Sequence, residues 1–236
     1  MKDEQFFNLL TMIQSILHAF FPEVCLVCKR LLYEKEKHIC LHCLYALPRT
    51  GFLQRKENEL FMKLANRFPL ESAQALFFFH KNNNSQKLLH GIKYHPKPNN
   101  AYWFGNLMGQ AWRESGRLVP DVLVPVPLHE KRKKERGYNQ SEALANGFSS
   151  VTQTLVLPEA LCRTIYRSSQ TNKGKSERWA AAESIYSQNE AIDLKGKSVL
   201  LMDDVITTGS TIEACGQALF AMDIAELHVY SLSMAV

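Results

Sequence analysis

Apolar residues recur at helical spacing near the start of the chain, where Phe6, Leu9, Leu10, Ile13, Ile16, Leu17 and Phe20 share one face and Pro22 ends the run. This predicts an amphipathic helix within residues 1–21. Its polar face offers only Lys2 and His18 as cations, so packing onto the rest of the chain is expected ahead of membrane-surface binding. Leu60, Phe61, Leu64 and Phe68, closed by Pro69, predict a connecting helix within residues 51–70. Ala73 to Phe79 reads as a buried strand. Further on, strand-like runs (Val122 to Val126, Val199 to Met202, Leu227 to Leu232) alternate with helical patterns (Ser85 to Tyr94, Tyr102 to Ser115, Ser141 to Phe148, Thr211 to Met222). Such alternation predicts an α/β domain over residues 71–236, a parallel sheet flanked by helices. No internal repeat is visible, and no run of about 18 apolar residues predicts a transmembrane helix.

The length, 236 residues, suits one large domain with a small appendage. Of six cysteines, Cys25, Cys28, Cys40 and Cys43 cluster, while Cys162 and Cys215 stand alone. The spacing is Cys-x2-Cys, eleven residues, Cys-x2-Cys. Each pair can form a tight knuckle, the segment between can fold as a short hairpin, and four thiolates can surround one ion tetrahedrally. A closed four-thiolate site leaves no position for a substrate, so a structural Zn2+ is expected in a zinc-finger-like module over residues 22–50. Redox work by either pair is disfavoured because neither is expected to open a helix. His38 and His42 are bystanders beside four thiols. The N-terminal run follows Asp3 and Glu4 and lacks an A-x-A cleavage site, so it does not read as an export signal, and a cytoplasmic protein is expected.

Net charge is only +5, yet cations bunch at Lys131, Arg132, Lys133, Lys134 and Arg136, and again from Arg163 to Arg178. A solvated face is the ordinary meaning of such runs; an anionic partner is the other. The stretch Ser198-Val-Leu-Leu-Met-Asp203-Asp204-Val205-Ile206-Thr207-Thr208-Gly209-Ser210-Thr211 carries more chemistry. An apolar strand runs into two acids and a small polar loop before a helix. Loop amides turned by Gly209, the helix dipole and the hydroxyls of Thr207, Thr208, Ser210 and Thr211 suit a phosphate dianion. Two acids beside a phosphate repel it unless they face hydroxyls or a cation, so the ligand should carry a ribose diol, Mg2+, or both. Neither G-x-G-x-x-G nor G-x-x-x-x-G-K-[ST] occurs.

The acid pair and T-T-G-x-T loop resemble the binding motif for 5-phosphoribosyl-1-pyrophosphate (PRPP) in type I phosphoribosyltransferases. Joined to a four-cysteine module, the chain resembles the ComF (ComFC) family, associated with DNA uptake in natural competence. Phe20-Phe21-Pro22, Ile92-Lys93-Tyr94, Val124-Pro125-Val126-Pro127-Leu128 and Arg132 to Gln140 extend that resemblance over nearly the whole chain. It implies a type I phosphoribosyltransferase fold, with Asp203 and Asp204 on the ribose hydroxyls and Val205 to Thr211 around the 5′-phosphate. Val126, Pro127, Arg132 and Arg136 would face pyrophosphate, and Mg2+ would accompany PRPP. Lys131, Lys133, Lys134, Tyr138, Lys173, Lys175 and Arg178 are nucleic-acid candidates, with Tyr94, Trp103 and Trp179 as further rings for stacking single-stranded DNA. Competence-machinery proteins are further expected partners. The family has Phe where Tyr138 stands, and its patterns after Lys93-Tyr94 and Arg178 are replaced here by His95-Pro-Lys-Pro98 and Trp179 to Tyr186. A metabolic phosphoribosyltransferase and a PRPP-binding scaffold are the alternatives.

Overall fold

The computed structural model describes residues 23–55, 57–94, 98–163 and 185–236. The expected helix over residues 1–21, the His95-Pro-Lys stretch, and Lys173, Lys175, Arg178 and Trp179 lie outside the described residues.

The cysteine segment leads into a short helix α1 (Leu41–Tyr45), and a 3-10 turn (Phe52–Gln54) precedes α2 (Glu59–Ala65). Then follow β1 (Ser72–Phe79), α3 (Asn84–Tyr94), α4 (Pro98–Glu114), β2 (Val122–Pro125), α5 (Glu130–Arg136), α6 (Gln140–Thr152) and β3 (Leu155–Val156). The chain continues through β4 (Leu161–Arg163), β5 (Tyr186–Gln188), β6 (Ser198–Ile206), α7 (Ser210–Phe220) and β7 (Glu226–Ala235). Five strands form a parallel sheet in the order β1-β7-β6-β2-β3, while β4 and β5 pair antiparallel as a separate ribbon.

Buried strands with side chains alternating between two covered faces explain the near-continuous apolar runs. Leu200 and Met202 of β6 point into one core with Leu88 and Ile92 of α3, Phe104 and Met108 of α4, and Leu144 and Phe148 of α6. Val199 and Leu201 point into the other, with Leu60 and Leu64 of α2, Ile212 and Leu219 of α7, and Leu161 and Tyr186 of the ribbon. Helices α4 and α6 cross with backbones in contact: a Cβ on Gly105 would stand 2.0 Å from the Leu144 carbonyl oxygen, and one on Gly147 would stand 1.9 Å from that of Tyr102. Only glycine permits that approach.

The cysteine segment is packed into the same body. Leu26, Val27 and Ile39 share the first core with Leu88 and Ile92, and His38 Nδ1 lies 2.7 Å from Asn100 Oδ1 of α4. The chain leaving it follows the free edge of β1, with Thr50 N–H donating to the Leu76 carbonyl and Phe78 N–H to that of Pro48. That edge is thereby covered. Among the described residues no helix is long and apolar enough to cross a membrane.

Four expected strands and five expected helices stand where the pattern put them, with shifted ends. The expected hairpin between the cysteine pairs is instead two isolated bridges, Val24 with Leu31 and Lys37 with Ile39, one beside each knuckle. Lys131 to Arg136, for which the apolar pattern predicted no element, lie in the helix α5, capped by His129 and closed by Gly137 in the left-handed region (φ 80°).

Candidate functional site

Strand β2 leads to β3 on one side of the sheet and β6 leads through α7 to β7 on the other, so neighbouring β2 and β6 form a topological switch point. Crevices at the carboxyl ends of such strands are where open α/β sheets bind ligands. Pairing of β2 with β6 ends at Pro125 and Met202, and Asp203 and Asp204 are the next two residues of β6. They lie inside β6, which runs on to Ile206 beside β7, and not at its tip as the sequence suggested.

A cleft of ≈ 160 Å³ opens there, lined by Val126, Pro127, Arg132, Arg136, Asp203, Asp204, Val205 and Thr211, together with Lys93, Asn139, Gln140, Ser141, Arg163 and Tyr186. A larger hollow of ≈ 360 Å³ at the amino end of β6, around Asp193 and Asp223, has no comparable convergence of strand ends and cations. Chemistry, not volume, selects the site.

Asp203 Oδ1 accepts from Ser141 Oγ at 3.0 Å and from the Asp204 N–H at 2.8 Å. Burial, and then the charge of Asp204, push the Asp203 carboxyl up to about 7, and these two bonds offset only part of that. Lys93 Nζ of α3 stands 3.0 Å from Asp204 Oδ2, an ion pair without hydrogen-bond alignment, leaving that buried oxygen short of a donor. Two close carboxylates with one cation between them carry excess negative charge that hydroxyl donors or a bound cation would relieve.

Beyond β6, Thr207 and Thr208 are exposed and Gly209 caps α7 in the left-handed region (φ 85°). A Cβ there would lie 2.5 Å from Leu64 Cδ2, so Gly209 is required by both φ and space. Thr208 Oγ1 and Ser210 Oγ are 2.8 Å apart at the mouth of α7, where unpaired amides collect.

On the other wall, α5 sorts the basic run by helical spacing. Arg132 and Arg136, four apart, face the cleft, and Arg136 Nη1 donates to Gln140 Oε1 at 2.8 Å. Lys131, Lys133 and Lys134 are exposed. Tyr138 is half-buried, its hydroxyl donates to the Ile92 carbonyl, and burial pushes its pKa up to about 12. Trp103 packs edge-on against Phe104, while Tyr94 is exposed beside His90.

Arg163 and Tyr186 escaped the sequence reading as cleft residues because β4 and β5 are three residues each, too short for a periodic signal. The guanidinium of Arg163 lies 5.5 Å from the Tyr186 ring centroid, and its Nε is buried without a hydrogen-bond acceptor. Lys63 of α2 was also missed: its Nζ donates to the Thr207 carbonyl at 2.6 Å. Nothing in a helical pattern indicates which loop the helix will meet.

The second site is the cysteine cluster, whose four Sγ atoms lie within 4.8 Å of one another. Cys28 and Cys40 Sγ are 3.8 Å apart, matching the edge, about 3.8 Å, of a tetrahedron of sulfurs about 2.3 Å from a central ion. Amides of Val27 and Cys40 donate to Cys25 Sγ, and that of Cys43 to Cys40 Sγ. Burial opposes ionisation of Cys40, but the Cys43 amide and the Arg30 guanidinium outweigh it and draw the thiol down to about 6. Cys43 is pushed up, chiefly by burial. Cys40 is drawn towards the thiolate while Cys43 beside it resists, and four sulfurs at this spacing fit a metal cation. Cys40 does cap a helix, contrary to expectation, but α1 has five residues and the other three sulfurs surround this one.

Comparison with known proteins agrees with this geometry. Residues 121–233 match the phosphoribosyl transferase domain family. "DNA utilization protein YhgH" of Escherichia coli K12 is 32% identical over 122 residues, 52% of this chain and 53% of that one. "Competence protein F" of Haemophilus influenzae is 28% identical over 148 residues, 58% and 63% of the two chains. "Competence protein ComFC" of Bacillus subtilis is 29% identical over 106 residues, 44% and 41%. The chain thus spans about half the length of the curated relatives it matches. A four-cysteine cluster that could hold a metal ion, the match to the phosphoribosyl transferase domain family and these relatives together make the chain similar to the competence and DNA-utilization proteins of the ComF family.

Proposed function

We propose that this protein binds PRPP with Mg2+ in the cleft between β2 and β6 and engages single-stranded DNA during DNA uptake, with transfer of the phosphoribosyl group as its chemistry. The observation that carries the reading is the set of groups gathered at the cleft: Arg132 and Arg136 of α5, the twin carboxylates of β6 and Thr211 of α7, with the exposed hydroxyls of Thr207, Thr208 and Ser210 next to its wall while Ile206 is buried in the second core. That set is complementary to a pyrophosphate, a ribose diol and a 5′-phosphate.

In this reading Asp203 and Asp204 accept hydrogen bonds from the ribose hydroxyls, supplying the donor that Asp204 Oδ2 lacks. Ser141 holds the Asp203 carboxylate, and Lys93 holds that of Asp204. Amides and hydroxyls of Thr207 to Thr211 take the 5′-phosphate. Arg132 and Arg136 receive the pyrophosphate as its bond to C1′ breaks and positive charge develops there, and an acceptor nucleophile forms the new bond to C1′ from the opposite face. Mg2+, when bound with PRPP, supplies further neutralisation of the pyrophosphate oxygens. In the cysteine cluster the ion is Zn2+, held by Cys25, Cys28, Cys40 and Cys43 in a structural role. The names of the relatives support the assignment to DNA uptake, and the exposed lysines of α5 offer a surface for a polyanion beside the cleft.

Retention of radiolabelled PRPP by the full chain tests this directly. Retention that needs Mg2+ and falls at least about tenfold in Asp204→Asn is expected; equal retention with and without the carboxylate would remove the acid pair from the ligand site.

A further inference from the structure

The connecting helix α2 does more than link two parts of the chain. Asn58 fixes it at both levels: its side-chain oxygen caps the Leu60 and Phe61 amides, and its Nδ2 donates to the Ala73 carbonyl of β1 at 2.8 Å. Leu60 and Leu64 are fully buried in the second core. Anchored in this way, α2 lies against the loop between β6 and α7, and Lys63 Nζ meets the Thr207 carbonyl oxygen at 2.6 Å. No carboxylate among the described residues pairs with Lys63, whereas Arg67, one turn on, stands 3.6 Å from Glu213. The charge of Lys63 is therefore directed at the loop.

A trans peptide is planar, with its N–H pointing opposite to its C=O. Capture of the Thr207 carbonyl by α2 consequently turns the Thr208 N–H away from α2. Among the described residues that N–H has no protein acceptor, while the next hydroxyls, Thr208 Oγ1 and Ser210 Oγ, bond each other at the mouth of α7. We infer that Lys63 is a positioning residue for a phosphomonoester: it holds the Thr207–Thr208 peptide with its donor presented to the anion and adds a positive charge behind it. The ligand does not have to touch Lys63 for this to work. An unrestrained loop could flip that peptide and present a carbonyl, which repels a dianion. The inference rests on the reading of the cleft as a 5-phosphoribosyl site and adds to it the segment that sets the loop.

The test is the affinity of the full chain for ribose 5-phosphate by calorimetry, in wild type, Lys63→Met and Lys63→Arg. Lys63→Met should bind about tenfold more weakly with an unchanged melting temperature, and Lys63→Arg, which still donates to the carbonyl, should come within about twofold of wild type. Wild-type affinity in Lys63→Met, or equal weakness in both variants, would overturn the role of Lys63 while leaving the cleft assignment standing. A wild-type chain that binds no ribose 5-phosphate would remove both.

Discussion

Asp203 shows how the site is held in tension. A carboxyl raised to about 7 in the folded chain, against about 3.9 when unfolded, binds its proton more tightly when folded. Its contribution to stability is present below the unfolded value and is lost as pH rises through about 7. Asp203→Asn keeps an oxygen for the Ser141 hydroxyl and the Asp204 amide but never carries the charge. The ligand-free variant should melt higher than wild type by roughly 4 °C at pH 8 and by little at pH 4, while PRPP retention is lost. Identical melting curves at pH 8 would show that the acid pair stores no strain. Wild-type binding of PRPP should weaken as pH falls below about 7, where Asp203 takes up its proton.

At the scale of elements, α5 presents two faces from one basic run. Arg132 and Arg136 line the cleft while Lys133 and Lys134 are exposed, so the two functions proposed for this run separate by mutation. Charge reversal at Lys133 and Lys134 should weaken single-stranded DNA binding and flatten its salt dependence by about one to two units of slope, with PRPP retention unchanged. Loss of both together, or of neither, would contradict that division. Long elements were legible in sequence because each buries a stripe or a face: β6 read as Val199 to Met202, and the helix from Pro98 to Glu114 read as Tyr102 to Ser115. The acid pair, its loop and the four cysteines were legible because their chemistry is local in sequence. Arg163, Tyr186 and Lys63 were not, since they reach the site through two three-residue strands and a seven-residue helix whose direction only tertiary packing sets. The helical state of Lys131 to Arg136 was hidden by its lack of any buried residue, which leaves no apolar period to read.

For the whole molecule, the cysteine cluster and the sheet share one core. Cys25, Leu26, Val27 and Ile39 pack with Leu88, Ile92 and Phe104, and the chain between them runs along β1. Ion removal should therefore reach beyond the cluster. About one zinc per chain is expected, and chelation should lower the melting temperature of the entire protein in a single transition. A chain that holds no metal, or melts unchanged after chelation, would refute the structural role. The chain leaving the cluster continues along the β1 edge into α2, whose Lys63 meets the loop proposed to hold the phosphate. Central to the account is a ribose gripped by Asp203 and Asp204 with its 5′-phosphate at Thr207 to Thr211. A crystal soaked with PRPP and Mg2+ tests it most directly: the ribose hydroxyls should lie within hydrogen-bond reach of both carboxylates and the phosphate should cap α7. A cleft left empty at saturating ligand, or a phosphate seated anywhere else, would contradict it.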